Sequence, residues 1–374
     1  MKKILIFEHS ILMSTDQYKA TITYKIHVEL SKVYELSKSV YFNKGVNPNK
    51  SNFDMLIKPV SLPLKWSNPL NKLINIFYIY LNNFKILFNE YKNSDLIWLG
   101  LTSSIGNSFV FLYPLFFSSR KFYIQLYTPS VSKSKLKRDF LDLIVKFNLI
   151  FFRYIGGASK PLIERYNIKA SKTIPIYGVI PDYGFRKKNF NKLHLVYIGT
   201  LNNREVWKSI AGLGIFQRNN PHITFTYDII GGGRHNEVEE INRSISEYNL
   251  TQSVKYHGFL SIDNVKKIFN RCNIGVSYIP LKPYFQNPST KTVEYLLAGM
   301  AVVATDKDIL HEVITGETGV FCQDNPEDFA RALKRLYDVR HSFDSMVIRD
   351  KVKHLAIENM IKDKYIPNLE RIIK

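Results

Sequence analysis

Acidic residues are scarce in the first half of this chain. Residues 1–190 hold 11 Asp and Glu against 28 Lys and Arg, whereas residues 191–374 hold 21 against 24. An excess of that size, in a chain of net charge +20, favours an anionic partner: nucleic acid, an acidic substrate or an anionic membrane surface. Cysteine is scarcer still. Cys272 and Cys322 are the two present, and their spacing does not suggest a metal site. No secretory leader is expected, since Met1-Lys2-Lys3 runs straight into Ile4–Phe7, too short for a signal core and better read as a first strand. A reduced, cytoplasmic protein is therefore expected. No apolar run approaches the roughly 18 residues of a membrane-spanning helix; the nearest, Phe109–Phe117, is about half that length. Glycine is lacking where a dinucleotide would require it. Phe7 is followed by "EHSILMSTDQYK", with no G-x-G-x-x-G, which disfavours a nicotinamide or flavin enzyme.

What is present is a long globular chain. At 374 residues, 45% of them hydrophobic, two domains are expected. The first half alternates strand-like segments (Lys3–Phe7, Met55–Val60, Leu96–Leu99, Phe122–Leu126, Tyr154–Gly157) with helical patterns at about Asp16–Ser37, Asn71–Tyr91, Ile105–Phe117 and Lys135–Phe152. That order implies a parallel, doubly wound sheet. "PDYGFRKKNFNK", from Pro181 to Lys192, has no periodicity and reads as a linker. A second alternation begins at "LHLVYIGT" (Leu193–Thr200) and runs through strands at Ile223–Ile230 and Ile274–Tyr278. The expected architecture is α/β, with two doubly wound, Rossmann-like domains at 1–185 and 191–357 facing a cleft, and a C-terminal helix at 358–374 packing back on the first. Ligands are expected where the strand ends face that cleft.

"NPSTKTVEYLLAGMAVVAT" (Asn287–Thr305) is the most informative stretch. Pro288, Ser289 and Thr290 suit a helix start. Leu296, Leu297, Ala298 and Met300 leave little polar face, and Ala301–Ala304 reads as a strand buried on both sides. Glu294 thus sits one turn into a helix whose start lies at a sheet edge. The amides near Ser289–Lys291 are placed for a phosphate, and the carboxylate for hydroxyls.

Six segments in order resemble the donor domain of group 1 glycosyltransferases, family 4, which have the GT-B fold: "LVYIGTLNNRE", "YDIIGGG", "VKYHGFL", "CNIGVSYIP", "PSTKTVEYLLAGMAVVATD" and "HEVITGETGVFC". The resemblance covers roughly Leu193–Phe329. Upstream, "GGASKPLIERYNIKASKTIPIYGV" resembles the stretch leading to the interdomain turn. It implies that the first domain binds the acceptor and the second a nucleotide diphosphate sugar. In the family, a sugar is transferred with retention of configuration, by a same-face displacement in which the leaving diphosphate helps deprotonate the acceptor. The expected enzyme is a retaining hexosyl- or N-acetylhexosaminyltransferase acting on a glycan or lipid-linked glycan.

Residue by residue, Glu294 matches the second of the family's two glutamates, which holds the ribose. The first falls on Gln286, a departure that leaves rate and sugar choice open. Arg204, with Lys208 a rival, and Lys291 are placed to offset the diphosphate. Gly199, Thr200, Gly232, Gly233, Ser289 and Thr290 are expected at the donor, and Phe259 at its base. His9, just after the first strand, and Tyr127, near where many members have a histidine, are candidates on the acceptor or cleft side. No metal is expected, because the Asp306–Asp308 "DKD" follows a strand in a fold that does not generally need one. Ser130–Phe152 sets Lys133, Lys135, Lys137 and Arg138 before an amphipathic, aromatic-rich helix, which suggests peripheral contact with the inner face of the cell membrane rather than nucleic acid. The alternatives are a catalytically weak homologue serving as a partner subunit, and a sugar-nucleotide epimerase.

Overall fold

The computed structural model describes residues 1–12, 22–44, 57–102, 108–128, 134–157, 159–174, 180–281, 290–307 and 310–374. They form two units, Met1–Val179 with Ile357–Lys374, and Ile180–Ala356.

In the first unit, seven parallel strands lie in the order β3-β2-β1-β4-β5-β6-β7. They are β1 (Lys3–Leu12), β2 (Glu35–Phe42), β3 (Ile57–Ser61), β4 (Leu96–Thr102), β5 (Phe122–Thr128), β6 (Tyr154–Gly157) and β7 (Thr173–Ile174). Between them run α1 (Ile22–Ser31), α2 (Pro69–Glu90), α3 (Leu112–Phe116), α4 (Lys135–Ile150) and α5 (Lys160–Arg165). The two long helices start on side-chain caps: Asn68 accepts from the Asn71 amide with Pro69 in the first turn, and Ser134 accepts from Lys137. The period-2 geometry of β1 divides its apolar run between two cores. Leu5 and Phe7 join Ile76, Tyr80, Val145 and Leu149 on one face, while Ile4 and Ile6 join Ile26, Leu30 and Trp98 on the other.

The second unit repeats the winding with six parallel strands, ordered β10-β9-β8-β11-β12-β13. They are β8 (Leu193–Ile198), β9 (Phe225–Ile230), β10 (Val254–Tyr256), β11 (Ile274–Ser277), β12 (Ala301–Thr305) and β13 (Gly319–Cys322). The helices are α6 (Trp207–Asn219), α7 (His235–Glu247), α8 (Ile262–Arg271), α9 (Thr290–Leu297), α10 (Pro326–Asp338) and α11 (Ser345–Val352). Every residue of β11 and β12 is buried, as a sheet covered on both faces requires. After α11 the chain returns to the first unit through α12 (Ile357–Met360), a π-helical turn at Ile361–Tyr365, and α13 (Ile366–Ile373).

Strand order reverses between β8 and β11, where an open α/β sheet opens a crevice at its strand ends. The two strands pair over two positions, Ile274 with Leu195 and Gly275 with Val196. Beyond them the ladder parts, and Tyr295 of α9 fills the gap. Its hydroxyl accepts from the Ile198 amide at 2.9 Å and donates to the Val276 carbonyl at 3.4 Å. This wedge seats α9 over the crevice.

Several expectations are corrected. The helix read over Asp16–Ser37 is α1 alone among the described residues, and Glu35–Phe42 is a strand. Lys38 and Ser39 in mid-strand disguise it, yet both are buried, with Lys38 Nζ 3.2 Å from His27 Nδ1. Of the helix read over Ile105–Phe117, the described residues 108–117 show α3 alone. His9 falls within β1 and not beyond it, and its side chain lies outside those described. Residues 181–192, read as a linker, are part of the second unit: Phe190 joins its core, and Lys188 Nζ donates to the Phe269 carbonyl at the end of α8.

Candidate functional site

Three cations gather at the carboxyl edge of the second sheet, each from a different segment. Arg204 comes from the loop after β8, Lys291 from the first turn of α9, and Lys307 from the loop after β12. The Lys291 side chain is half-buried, and its ammonium is shut off from solvent. Its ammonium lies 3.8 Å from the Tyr197 ring centroid, and no hydrogen-bond partner for Nζ exists among the described residues. Burial, and next the Arg204 guanidinium, push it down to about 7, with the Glu294 carboxylate opposing. Lys307 is pushed down to about 8 by burial and by Arg204, with Asp324 opposing. Mutually repelling buried cations are costly, and an anion at this edge would relieve both burial and repulsion.

The floor is backbone. Gly199 ends β8 at φ +142°, a conformation that favours glycine, and a Cβ there would stand 3.0 Å from Lys291 Nζ. Gly231 ends β9 in equally close quarters, since a Cβ on it would run into the Gly199 carbonyl. Phe259, 85% exposed, lies across Gly232, and Gly233 packs beside Leu201. The Thr200 carbonyl accepts from Tyr197 Oη at 2.8 Å.

Glu294 is 8% exposed, one turn along α9 from Lys291. With burial, its carboxylate raises the pKa of the Tyr183 hydroxyl, which places the segment after residue 180 beside it. Ser277 and Thr292 hydroxyls meet at 2.7 Å and tie α9 to β11. Lys208, the rival to Arg204, is engaged elsewhere: it bridges Glu205 at 2.8 Å and Asp324 at 3.0 Å, and Asp324 also accepts from Tyr278 Oη and the Leu281 amide. That bracket pins the loops after β8, β11 and β13 together.

The structure thus brings together Gly199, Arg204, Lys291 and Glu294. Gly232 and Phe259 flank them on the β9 and β10 side, and Thr290 is exposed at the start of α9. Gln286 and Ser289 lie outside the described residues. Tyr127 is half-buried near the end of β5, in the other unit. Asp306 hydrogen-bonds His311 at 2.7 Å, Asp308 lies outside the described residues, and among those described no three metal-ligating side chains cluster. Lys307 was missed in sequence because "DKD" draws attention to its carboxylates; the usable signal was a lysine directly after a fully buried strand. Tyr197 and Tyr295 lie within quoted segments and Tyr183 in the stretch read as a linker, and none was singled out.

A separate basic cavity of about 550 Å³ lies at the opposite ends of β8 and β11. It holds none of these residues. Two of its cations are already used, Lys188 on the Phe269 carbonyl and Arg271 on Asp228 at 2.6 Å.

Paired doubly wound units with this winding define the GT-B class. Over 99% of the chain and 98% of the other, the structure is similar to sucrose-phosphate synthase (tll1590) from Thermosynechococcus elongatus, with TM-score 0.71 and 16% identity. Anabaena Alr3699/HepE, solved with UDP and glucose, gives TM-score 0.67 and 13% identity over 99% and 100% of the two chains. The lipopolysaccharide outer core galactosyltransferase WaaB, in its apo form, gives 0.62 and 14% over 99% of each. No curated protein sequence matches the chain. Residues 192–339 match the family model for glycosyl transferases group 1. That match spans all the residues gathered at this edge.

Proposed function

We propose that the protein is a retaining glycosyltransferase that moves a sugar from a nucleotide diphosphate sugar to a glycan or lipid-linked glycan, in surface polysaccharide synthesis at the inner face of the cell membrane. The observation that carries this reading is Lys291, a buried ammonium without a hydrogen-bond partner among the described residues, set over the Gly199 backbone and beside Arg204, which also acts on Lys307. A diphosphate fits that arrangement in charge and in its need for close backbone approach. Glu294 then takes the ribose hydroxyls, and Phe259 stacks on the base. HepE, of the same fold, was solved with UDP and with UDP-glucose.

In transfer, the bond from the anomeric carbon to the diphosphate oxygen breaks as the acceptor oxygen bonds to the same face. The acceptor proton passes to the departing diphosphate. The protein orients the two substrates and offsets charge on the leaving group, a role for Arg204, Lys291 and Lys307 without a metal. The test is a panel of nucleotide sugars, scored by thermal shift and then by transfer to a generic acceptor, with and without chelator. Transfer that survives chelator with retained anomeric configuration is expected. Loss that magnesium or manganese restores would revive Asp306 and Asp308. An epimerised donor in place of transfer would overturn the reaction class.

Gln286, where the resemblance expects glutamate, favours a second reading as a catalytically weak partner subunit. Comparing the natural protein with Gln286→Glu across the same panel separates the two. Turnover by the variant alone supports the partner subunit. Turnover by both, with different sugar preference, makes Gln286 a specificity residue.

A further inference from the structure

Helices α2 and α4 each carry two apolar faces. One face is accounted for: Ile76, Tyr80 and Leu87 of α2, and Val145 and Leu149 of α4, belong to the core on the first sheet. On the opposite side of α4, Leu136, Phe140, Leu143, Phe147 and Ile150 recur at three- and four-residue steps, and all are exposed, Leu136 at 83%. On α2, Leu70, Leu73, Ile74, Phe77, Leu81 and Phe88 do the same, Phe77 at 64%. A helix apolar on both faces is ordinarily covered on both. The segment at α3 joins the stripes. Phe116 meets Phe84 of α2 with ring centroids 5.5 Å apart, and Phe111 meets Phe147 of α4 at 5.1 Å. Leu115 and Phe116 are themselves exposed. An apolar surface continuous over three neighbouring elements is not the single scatter found on ordinary surfaces.

The charges around this surface decide what covers it. At about 100° per residue, Lys135 and Lys146 lie on one flank of the α4 stripe and Lys137 on the other, while Lys85 edges the stripe of α2; all four are exposed. Of the acidic residues nearby, Asp142 pairs with Arg165 and Glu90 with Lys3, and Asp139 stands exposed on the same flank as Lys135 and Lys146. The first unit as a whole holds 29 Lys and Arg against 13 Asp and Glu. Docking against a second copy would bring like-charged rims together. An anionic bilayer supplies both an apolar depth and opposite charge. Among the described residues no helix is long and apolar enough to cross it.

We propose that α2, the α3 segment and α4 form one interfacial docking face, with their outer apolar side chains in the acyl boundary and the flanking lysines among anionic headgroups. This rests on the peripheral-membrane part of the function proposed above and is independent of the transfer chemistry. The experiment is flotation of the full chain with phosphatidylcholine vesicles, with and without phosphatidylglycerol. Three triple variants are compared: Leu73→Ser with Phe77→Ser and Leu81→Ser; Leu136→Ser with Phe140→Ser and Leu143→Ser; and Lys135→Ser with Lys137→Ser and Lys146→Ser. Circular dichroism and thermal unfolding report whether each remains folded. The natural chain should float with anionic vesicles only, and each apolar triple should lower the bound fraction by about tenfold or more. The lysine triple should weaken binding in the way that added salt does. If the α2 triple floats like the natural chain while the α4 triple does not, the joint face is wrong though membrane contact stands. If the natural chain ignores anionic vesicles, and light scattering finds a dimer that the apolar triples dissociate, the face is a self-association surface and both readings fail. Equal binding to neutral and anionic vesicles overturns the assigned role of charge.

Discussion

In the second unit few large apolar side chains reach the surface: Phe259, Ile262, Leu281, Val339, Met346 and Val347 among the described residues. In the first unit they gather on α2, α3 and α4. The two sheets share one strand order, with a seventh strand added in the first, so the winding does not require this difference. Charge divides the same way. The second unit holds 23 basic against 19 acidic residues, the first 29 against 13, yet it is the nearly balanced unit that concentrates three cations at one sheet edge. One framework has thus been specialised twice, inward at a crevice and outward along a helical face. Substitutions on one side should leave the property of the other unmoved.

The largest separation is expected from Glu294→Ala. Losing a buried carboxylate that accepts from two hydroxyls should cost about 3 kcal/mol, on the order of a hundredfold in nucleotide Kd. Calorimetry with UDP measures it, and vesicle flotation should not change. Lys307→Ala comes next, with about a tenfold loss for UDP and little for uridine, because its ammonium serves the diphosphate. Equal losses for both ligands would remove Lys307 from the phosphate site.

Lys291 sharpens the comparison through pH. Its folded pKa of about 7 lies below the ordinary 10.5. Below about 7 both states hold the proton, and the cost of the buried charge is carried in full. Between 7 and 10.5 the unfolded chain binds a proton that the folded chain lacks, so this group makes stability rise with pH. Thermal unfolding of the natural chain and of Lys291→Met should therefore converge as pH is raised through that window. A diphosphate favours the charged lysine, so UDP binding just above pH 7 should take up a proton. Calorimetry in buffers of different ionisation enthalpy reads that uptake, and Lys291→Met should reduce it to the smaller share that Lys307, pushed down to about 8, takes up. The smallest effect belongs to Phe259→Ala, about 1 kcal/mol for an exposed stacking ring, and it should appear with uridine as much as with UDP.

Most of the winding could be read from sequence because the central strands are fully buried apolar runs bounded by turns. β2 escaped because a core lysine beside His27 looks like helix surface, and burial satisfied by a distant partner leaves no local signal. The candidate site was half legible. Glu294, Lys291 and Gly199 sit in local patterns that announce a helix start or strand end. The roles of Tyr295 in the split ladder, Tyr183 beside Glu294 and Lys208 on Asp324 depend on contacts across 19 to 116 positions of sequence. The apolar stripe of α4 was visible as amphipathicity, but which of its two faces lacks a cover is a fact of packing alone.

The return of Ile357–Ile373 to the first unit bears on how the chain folds as it is synthesised. The strands of that unit are all made by residue 174, yet Ile4, Ile6, Trp98 and Tyr123 share their core with Ile357, Ile361, Tyr365 and Leu369. Until those residues emerge, that side of the sheet has mainly α1 to cover it. The second unit, uninterrupted over 180–356, possesses every element of its core earlier. The unit begun first is thus the one completed last. At ordinary synthesis rates its apolar side waits on the order of ten to forty seconds for its final helices, an interval in which a chaperone has something to hold.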